Sequence, residues 1–183
     1  MKHFYQSVTG YFRPEQRLLY ANQVKQSKDG YHFVEIGAWR GRSSSYMAVE
    51  IINSGKNIKF DVVDHWLGSS EHQKNPSVKR GTLYDEFINN TKPVNHIINP
   101  LRMTSVEASK LYDDNSLDFV FIDASHEYEF VKEDIKHWFP KVREGGIIAG
   151  DDMEWHVADS IKRAVTEMIP KHIQDRNMWI YRK

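Results

Sequence analysis

Apolar residues along this chain fall into short blocks set apart by polar or periodic stretches. YHFVEIG (31–37), IKFDVVD (58–64), HIINPLRM (96–103), LDFVFID (117–123) and GGIIAGD (145–151) have the length and continuity of buried strands. Between them, SSSYMAVEIINSG reads as a helix closed by Gly55, VEASKLY as a short helix, VKEDIKHWFPKV as a helix with Trp138 on its apolar side, and 157–168 as a further helix. PEQRLLYANQVKQS opens with proline at a first helical position and spaces Leu18, Leu19 and Val24 helically. The tail HIQDRNMWIYRK supplies the last strands. Residues 67–90, with Gly68, Pro76 and Gly81, predict either a long loop or an irregular insertion ahead of a helix near Leu83 to Asn89, and loops of that length in compact domains are often functional. Strands alternating with helices imply parallel pairing. The expected architecture is α/β: a Rossmann-like, doubly wound, mostly parallel seven-stranded sheet with helices on both faces. No repeat or linker divides the chain, so one domain is expected over 1–183, with 1–30 an N-terminal helical segment and 31–183 the core.

Composition narrows the function. The 183 residues are 40% hydrophobic and 27% charged, as in ordinary globular proteins, and Lys plus Arg balances Asp plus Glu at 25 each. Neither nucleic acid nor an anionic membrane is therefore an expected partner. Without cysteine there is no disulfide framework, thiol nucleophile or thiolate metal site. No segment approaches the roughly 18 apolar residues of a membrane span, and MKHFYQSVTGYF lacks a signal-peptide core, so the expected location is cytoplasmic. The aromatic stretch FYQSVTGYF is suited either to fold over its own active site or to pack against a second subunit in a homo-oligomer.

Ligands of open parallel sheets bind beyond the carboxyl ends of the strands. There this sequence sets Glu35-Ile36-Gly37, Asp64-His65-Trp66, Asp123 and Asp151-Asp152. Any one of these acids could merely cap a helix, a role worth about 1 kcal/mol. Capping explains acids at all four strand ends together poorly, because crowded carboxylates repel unless a cation or hydrogen-bond donors sit among them. In the first loop, VEIGAWRGRSSSY, Trp39 stands where a dinucleotide fold needs glycine for close approach to a pyrophosphate. Gly37 and Gly41 suit a loop around a ligand with no diphosphate, and serines 43 to 45 open a helix whose N–H groups and hydroxyls could hold a carboxylate. Asp64 is placed to accept from both hydroxyls of a ribose. Ribose, carboxylate and no phosphate describe S-adenosylmethionine.

Over roughly residues 31 to 170 the chain resembles the class I S-adenosylmethionine-dependent methyltransferases. VEIGAWRGRSS is similar to the first motif of the catechol and caffeoyl-CoA O-methyltransferases, while VDHWLGSSEH and FIDASHEYEFVKEDIKHWFPKVREGGIIAGDD resemble the branch that contains the macrolide-sugar O-methyltransferases. The resemblance implies that Glu35, Gly37, Ala38, Gly41 and Ser43, with Trp39 in the same loop, lie at the methionine part of the cofactor. It implies that Asp64 holds the ribose, that His65 flanks the adenine and that Ser105 occupies the adenine-side position. Asp123 belongs to both the cofactor and metal sets: a divalent cation, magnesium or another, would be bound by Asp123, Asp151 and Asp152, an all-oxygen set suited to a hard ion. His126, three residues beyond Asp123, is the implied base, titrating near neutrality; its bland alternative is to cap the next helix or pair with Glu129. The implied reaction is methyl transfer to a hydroxyl of a small molecule, a sugar or a glycan.

Three other readings compete. One keeps fold and cofactor but drops the metal and acts on a nitrogen acceptor. Another is a non-catalytic methyltransferase-like binding subunit. A dinucleotide oxidoreductase comes last because of Trp39. Trp155 and His156 are candidates for the acceptor pocket, and Trp66 with 67–82 for a lid or acceptor wall. Of nine histidines, His3, His32, His72, His96, His137 and His172 lack a partner motif and are expected to be packing or surface residues, as Lys79 and Arg80 are expected to be solvated.

Overall fold

The computed structural model describes residues 1–154 and 158–183. Its strands are β1 (His32–Ile36), β2 (Lys59–Asp64), β3 (Ile98–Arg102), β4 (Leu117–Ile122), β5 (Val142–Gly150), β6 (Ile173–Asp175) and β7 (Met178–Arg182). They form one seven-stranded sheet in the order β3-β2-β1-β4-β5-β7-β6. β1 to β5 pair in parallel and β7 runs antiparallel between β5 and β6. The helices are α1 (Pro14–Gln26), α2 (Arg42–Ser54), α3 (Pro76–Arg80), α4 (Leu83–Thr91), α5 (Ser105–Ser109), α6 (Tyr128–Trp138) and α7 (Ala158–Met168). This is the doubly wound Rossmann-like architecture.

Strand alternation sorts the core into two layers. Phe33, Phe60, Val62, Phe119 and Phe121 face α1, α2 and α4, meeting Tyr20, Met47, Ile51 and Phe87. Val34, Ile36, Val120, Ile122 and Ile148 face the other way, against Val131, Ile135, Trp138, Ile161 and Val165 of α6 and α7. Strands covered on both faces read in sequence as unbroken apolar runs, which is why β1, β2 and β4 were legible there.

Two expectations about local structure change. The stretch expected as a loop or irregular insertion before α4 holds the five-residue helix α3, with Pro76 at its start, the Asn75 side chain accepting from the Ser77 N–H at 2.9 Å and Gly81 closing it in a left-handed conformation. One turn is too short to show a hydrophobic period. β5 begins at Val142 rather than 145, the extra residues pairing only at Leu117 before a register shift. Val157, Trp155 and His156 lie outside the described residues. The N-terminal aromatics fold onto their own domain, Tyr5 meeting Tyr46 at 5.2 Å and Phe12 at 5.9 Å between ring centroids. Among the described residues no helix is long and apolar enough to cross a membrane.

Strand order reverses between β1 and β4, and the crevice beyond their carboxyl ends is where this topology binds ligands.

Candidate active site

The ends of β1 and β4 approach so closely that only glycine fits between them. Gly37 has φ of +87°, and a Cβ there would stand 1.9 Å from the Asp123 carbonyl oxygen. Its N–H donates to the Val63 carbonyl at 2.9 Å, and the Asp123 N–H donates to the Ile36 carbonyl at 2.8 Å, which locks the junction. The loop continues through Trp39 at φ 50°, a left-handed conformation that is uncommon for a bulky residue. Asp64 holds it there. One carboxylate oxygen accepts from the Ala38 and Trp39 N–H groups, each at 3.0 Å, and the other from the Trp66 N–H at 2.7 Å. The Trp66 indole donates to the Trp39 carbonyl at 2.9 Å and packs on Tyr84 and Phe87. Trp66 is 1% exposed, so it forms the floor beneath the loop, which corrects its expected place in a lid or acceptor wall.

Of the residues expected at the methionine part, Gly37, Ala38, Trp39 and Ser43 line the central cavity, whereas Glu35 and Gly41 do not. Glu35 shares a strand face with Phe33, so it points at α1, where it accepts from the Tyr20 hydroxyl at 2.9 Å and from Ser44. Burial pushes its carboxyl up, opposed by the hydroxyls of Ser43, Ser44 and Tyr20. Gly41 caps α2 in a left-handed conformation, and a Cβ there would lie 2.7 Å from Thr91 Cγ2. Ser45 donates to the Gly41 carbonyl. With the serine hydroxyls so engaged, the cation next to them matters: Arg42 lines the cavity, donates to the Val8 carbonyl at 2.9 Å and has no carboxylate within ion-pair distance among the described residues. Sequence reasoning passed over it because one arginine at a helix start carries no pattern.

The cavity measures about 1530 Å³. Typical single-ligand pockets span roughly 300–1,000 Å³, so a cofactor and a second reactant can lie side by side. Asp64, His65, Ser105, Asp123, His126, Asp151 and Asp152 all line it. Within it, ligand atoms of Asp123, His126 and Asp152 lie within 4.8 Å of one another. His126 Nε2 is 2.8 Å from Asp152 Oδ2, and its Nδ1 is 3.1 Å from Glu71. The hydrogen bond that Nε2–H donates to Asp152 holds the imidazole up at about 9 against the opposing effect of burial. Burial works against the Asp152 carboxylate too, but the hydrogen bond and charge of His126 and the Asn177 amide outweigh it and keep that carboxyl low. In this state the ring is an imidazolium at neutral pH. Asp123 is pushed well above its ordinary range by burial first and then by the charges of Asp151 and Asp152.

Asp151 departs from the expected three-aspartate set. It is buried behind the cluster, where Gln16 of α1 donates to one oxygen at 2.9 Å and Asn177 to the other at 2.8 Å. Burial and the neighbouring Asp152 raise its carboxyl to about 7. Asn177, wholly buried in the turn between β6 and β7, also reaches Asp152 at 3.2 Å and caps the chain through the Glu154 N–H. Nothing in PEQ or DRN announces these anchors, which act across 135 and 26 residues of sequence. Three crowded acids, one buried and two half-buried, are offset by one imidazole, by amide donors and by the charge of Arg13, and a divalent cation would fit and relieve such a set.

On the nucleoside side, the Ser105 hydroxyl accepts from the Trp138 indole at 2.7 Å and donates to Asp134. Asp134 lines the cavity, and burial lifts its carboxyl to about 6. A folded-state value above the unfolded one means that the native state binds the extra proton, so stability falls as pH rises from about 4 to about 6. Asp134→Asn is therefore expected to unfold like the parent near pH 4 but to be more stable by about 2 kcal/mol near pH 7.5. Denaturant titrations of both proteins at the two pH values check this, and an equal difference at both would refute it.

A doubly wound sheet with a strand-end acid bracing a glycine loop over the switch point defines an S-adenosylmethionine-dependent class I methyltransferase fold. Residues 34–153, well over half of the chain, match the methyltransferase-domain family, and the protein belongs to it. Similar solved structures include the O-methyltransferase NovP, at 17% identity and TM-score 0.64 over 92% of this chain and 79% of that one. An S-adenosylmethionine-dependent O-methyltransferase from Thermotoga maritima has 13% identity and TM-score 0.60 over 88% of this chain and 52% of that one. Precorrin-6y C5,15-methyltransferase from Geobacter metallireducens aligns at 13% identity and TM-score 0.63 over 92% and 78%. Proteins named for different acceptors thus share the fold about equally, and it is the site that must discriminate among them. No curated protein sequence matches the chain.

Proposed function

We propose that the protein is an O-methyltransferase that moves the methyl group of S-adenosylmethionine to a hydroxyl of a small polyhydroxylated acceptor, a sugar or glycan, using a divalent cation and His126 as base. The observation that carries this reading is the convergence of Asp123, His126 and Asp152 in the same cavity as the Gly37 loop. Asp64 has lone pairs left after its three backbone bonds and would take the ribose hydroxyls, with His65 and Ser105 toward the adenine. Arg42 would meet the methionyl carboxylate. Asp123 and Asp152 would hold the cation, with Asp151 behind them; bound there, it would polarise the acceptor hydroxyl and lower its pKa.

Were Asp152 committed to the cation, His126 would lose the strongest of the partners that keep its proton and could accept one from the hydroxyl. The oxygen then attacks the sulfonium methyl in line: the O–C bond forms as the S–C bond breaks, and S-adenosylhomocysteine leaves. Holding both reactants in contact supplies much of the acceleration. Ser69, Ser70, Ser125 and Thr9 line the cavity and suit an acceptor that offers several hydroxyls.

Methyl-labelled S-adenosylmethionine, incubated with panels of sugars, diols and amines, tests the reading. Label on an oxygen with magnesium, lost on adding EDTA, is the expected result. Metal-independent label on nitrogen would replace it with the second enzymatic reading, and no calorimetric binding of S-adenosylhomocysteine would favour a non-catalytic subunit.

A further inference from the structure

Before α1 the chain runs along the central cavity, and residues 6–11 line it together with the Gly37 loop. Both ends of this arm are packed into the domain. His3 stacks on Tyr46 at 4.4 Å between ring centroids and bonds to Glu50 at 2.7 Å, and Tyr5 and Phe12 are both buried. Between those anchors the Val8 carbonyl accepts from Arg42, the first residue of α2, at 2.9 Å. Gly10 lies over the same side chain: a Cβ there would stand 3.6 Å from Arg42 Cβ and 3.8 Å from Trp39 Cδ1, ordinary contact distances. The arm then leads into α1, where Gln16 donates to Asp151 at 2.9 Å. It therefore spans the cavity from the cofactor loop to the acid cluster.

Its seat on Arg42 is electrostatically incomplete. A guanidinium carries a full charge and five N–H donors. Here Nε is buried without a hydrogen-bond partner, and no carboxylate of the described residues pairs with the group, unlike Arg40, Arg143 and Arg176. The Tyr5 ring, 5.6 Å from Cζ, offers a cation–π contact, which does not replace a counter-charge. Covering a cation costs free energy unless it is paired, so in lying over Arg42 the arm opposes its own seating until an anion reaches the guanidinium. Seating of the arm and binding of a carboxylate from the cavity side then favour each other, because a coupling free energy is reciprocal.

We propose that Arg42 is a positioning residue that ties the arm to the cofactor: pairing with the methionyl carboxylate lets it hold residues 6–11 in place as a wall between the cofactor loop and the acid cluster. The proposal rests on the reading of the cavity as the cofactor site with Arg42 at its carboxylate end. It goes further in making the shape of the acceptor side depend on that carboxylate.

Amide hydrogen exchange of the full chain tests this with two ligands that differ in one group: S-adenosylhomocysteine, and its decarboxylated form, which keeps the nucleoside, the thioether and the amine. Each is added to saturation, and slowed exchange over residues 37–41 reports its binding. S-adenosylhomocysteine should slow exchange over residues 6–11 by about fivefold or more, including the Val8 N–H that donates to the Tyr5 carbonyl at 3.0 Å. The decarboxylated ligand should leave the arm within about twofold of the free protein. Arg42→Gln with S-adenosylhomocysteine should show the loop protected and the arm not, and Arg42→Lys, which keeps the charge, should recover part of the arm's protection. Equal protection of the arm by both ligands in the parent, or by neither while the loop is protected, would overturn the proposal, as would full protection of the arm in Arg42→Gln. The comparison of ligands needs no variant, so a substitution that fails to fold leaves it decisive. If S-adenosylhomocysteine protects neither arm nor loop, the cofactor reading itself fails, and the proposal with it.

Discussion

Gly37→Ala is expected to cost about 3–5 kcal/mol of stability and to abolish measurable S-adenosylhomocysteine binding. Two penalties add. An L side chain at φ of +87° is strained by about 1–2 kcal/mol. The new Cβ would also lie 1.9 Å from the Asp123 carbonyl oxygen and 2.8 Å from the Ala124 Cα, both backbone atoms that no rotamer change can move aside. Relief requires the ends of β1 and β4 to part, which breaks the bond from the Asp123 N–H to the Ile36 carbonyl and displaces the Asp123 carboxylate from the cluster. Gly55→Ala is the control. That residue is also left-handed, at φ +66°, but nothing lies within 4 Å of its Cβ position, so only the backbone strain of about 1 kcal/mol should appear. Denaturant unfolding and calorimetry on both variants check the contrast, and similar losses at the two sites would refute the close-approach argument.

The same junction shows what the amino-acid sequence makes legible. An acid placed at the end of an apolar run is visible because the sheet cannot bury it cheaply, and Asp64, Asp123, Asp151 and Asp152 all border the cavity as that logic requires. The helices and central strands were visible for a similar reason: parallel strands covered on both faces admit few polar residues. What the sequence could not convey is which way a side chain turns and what reaches it from afar. Glu35 sits one residue from the loop yet faces α1, since alternation pairs it with Phe33 and Tyr20 receives it. Trp66 follows Asp64 and His65 at the strand end, but its left-handed backbone, φ 54°, goes with a ring buried under the loop. His72, set aside as ordinary, lines the cavity and lies on Trp39 at 4.5 Å between ring centroids. Gln16 and Asn177 come from opposite ends of the chain to share Asp151, and no local pattern encodes a partner so distant.

Asp123→Asn should act in opposite directions on stability and on metal response. Without a cation, the carboxyl of Asp123 is driven up by burial and by Asp151 and Asp152, so at neutral pH its ionisation is a cost to the native state. Asparagine keeps the shape and removes the charge, and the metal-free variant is expected to gain about 1 kcal/mol, seen as a higher melting temperature in EDTA. The gain should vanish on adding magnesium. A ligand bound only by the native state stabilises by about 2.7 kcal/mol when present at 100 times its dissociation constant, and the parent should show a rise of that order while the variant, lacking a carboxylate ligand, should not. Methyl transfer should fall with it. Stability held below its attainable level by a charge kept for its chemistry is what functional sites commonly show. Equal magnesium-induced shifts in the two proteins would mean that Asp123 does not ligate the ion, and the crowding of acids at the switch point would then need another cause.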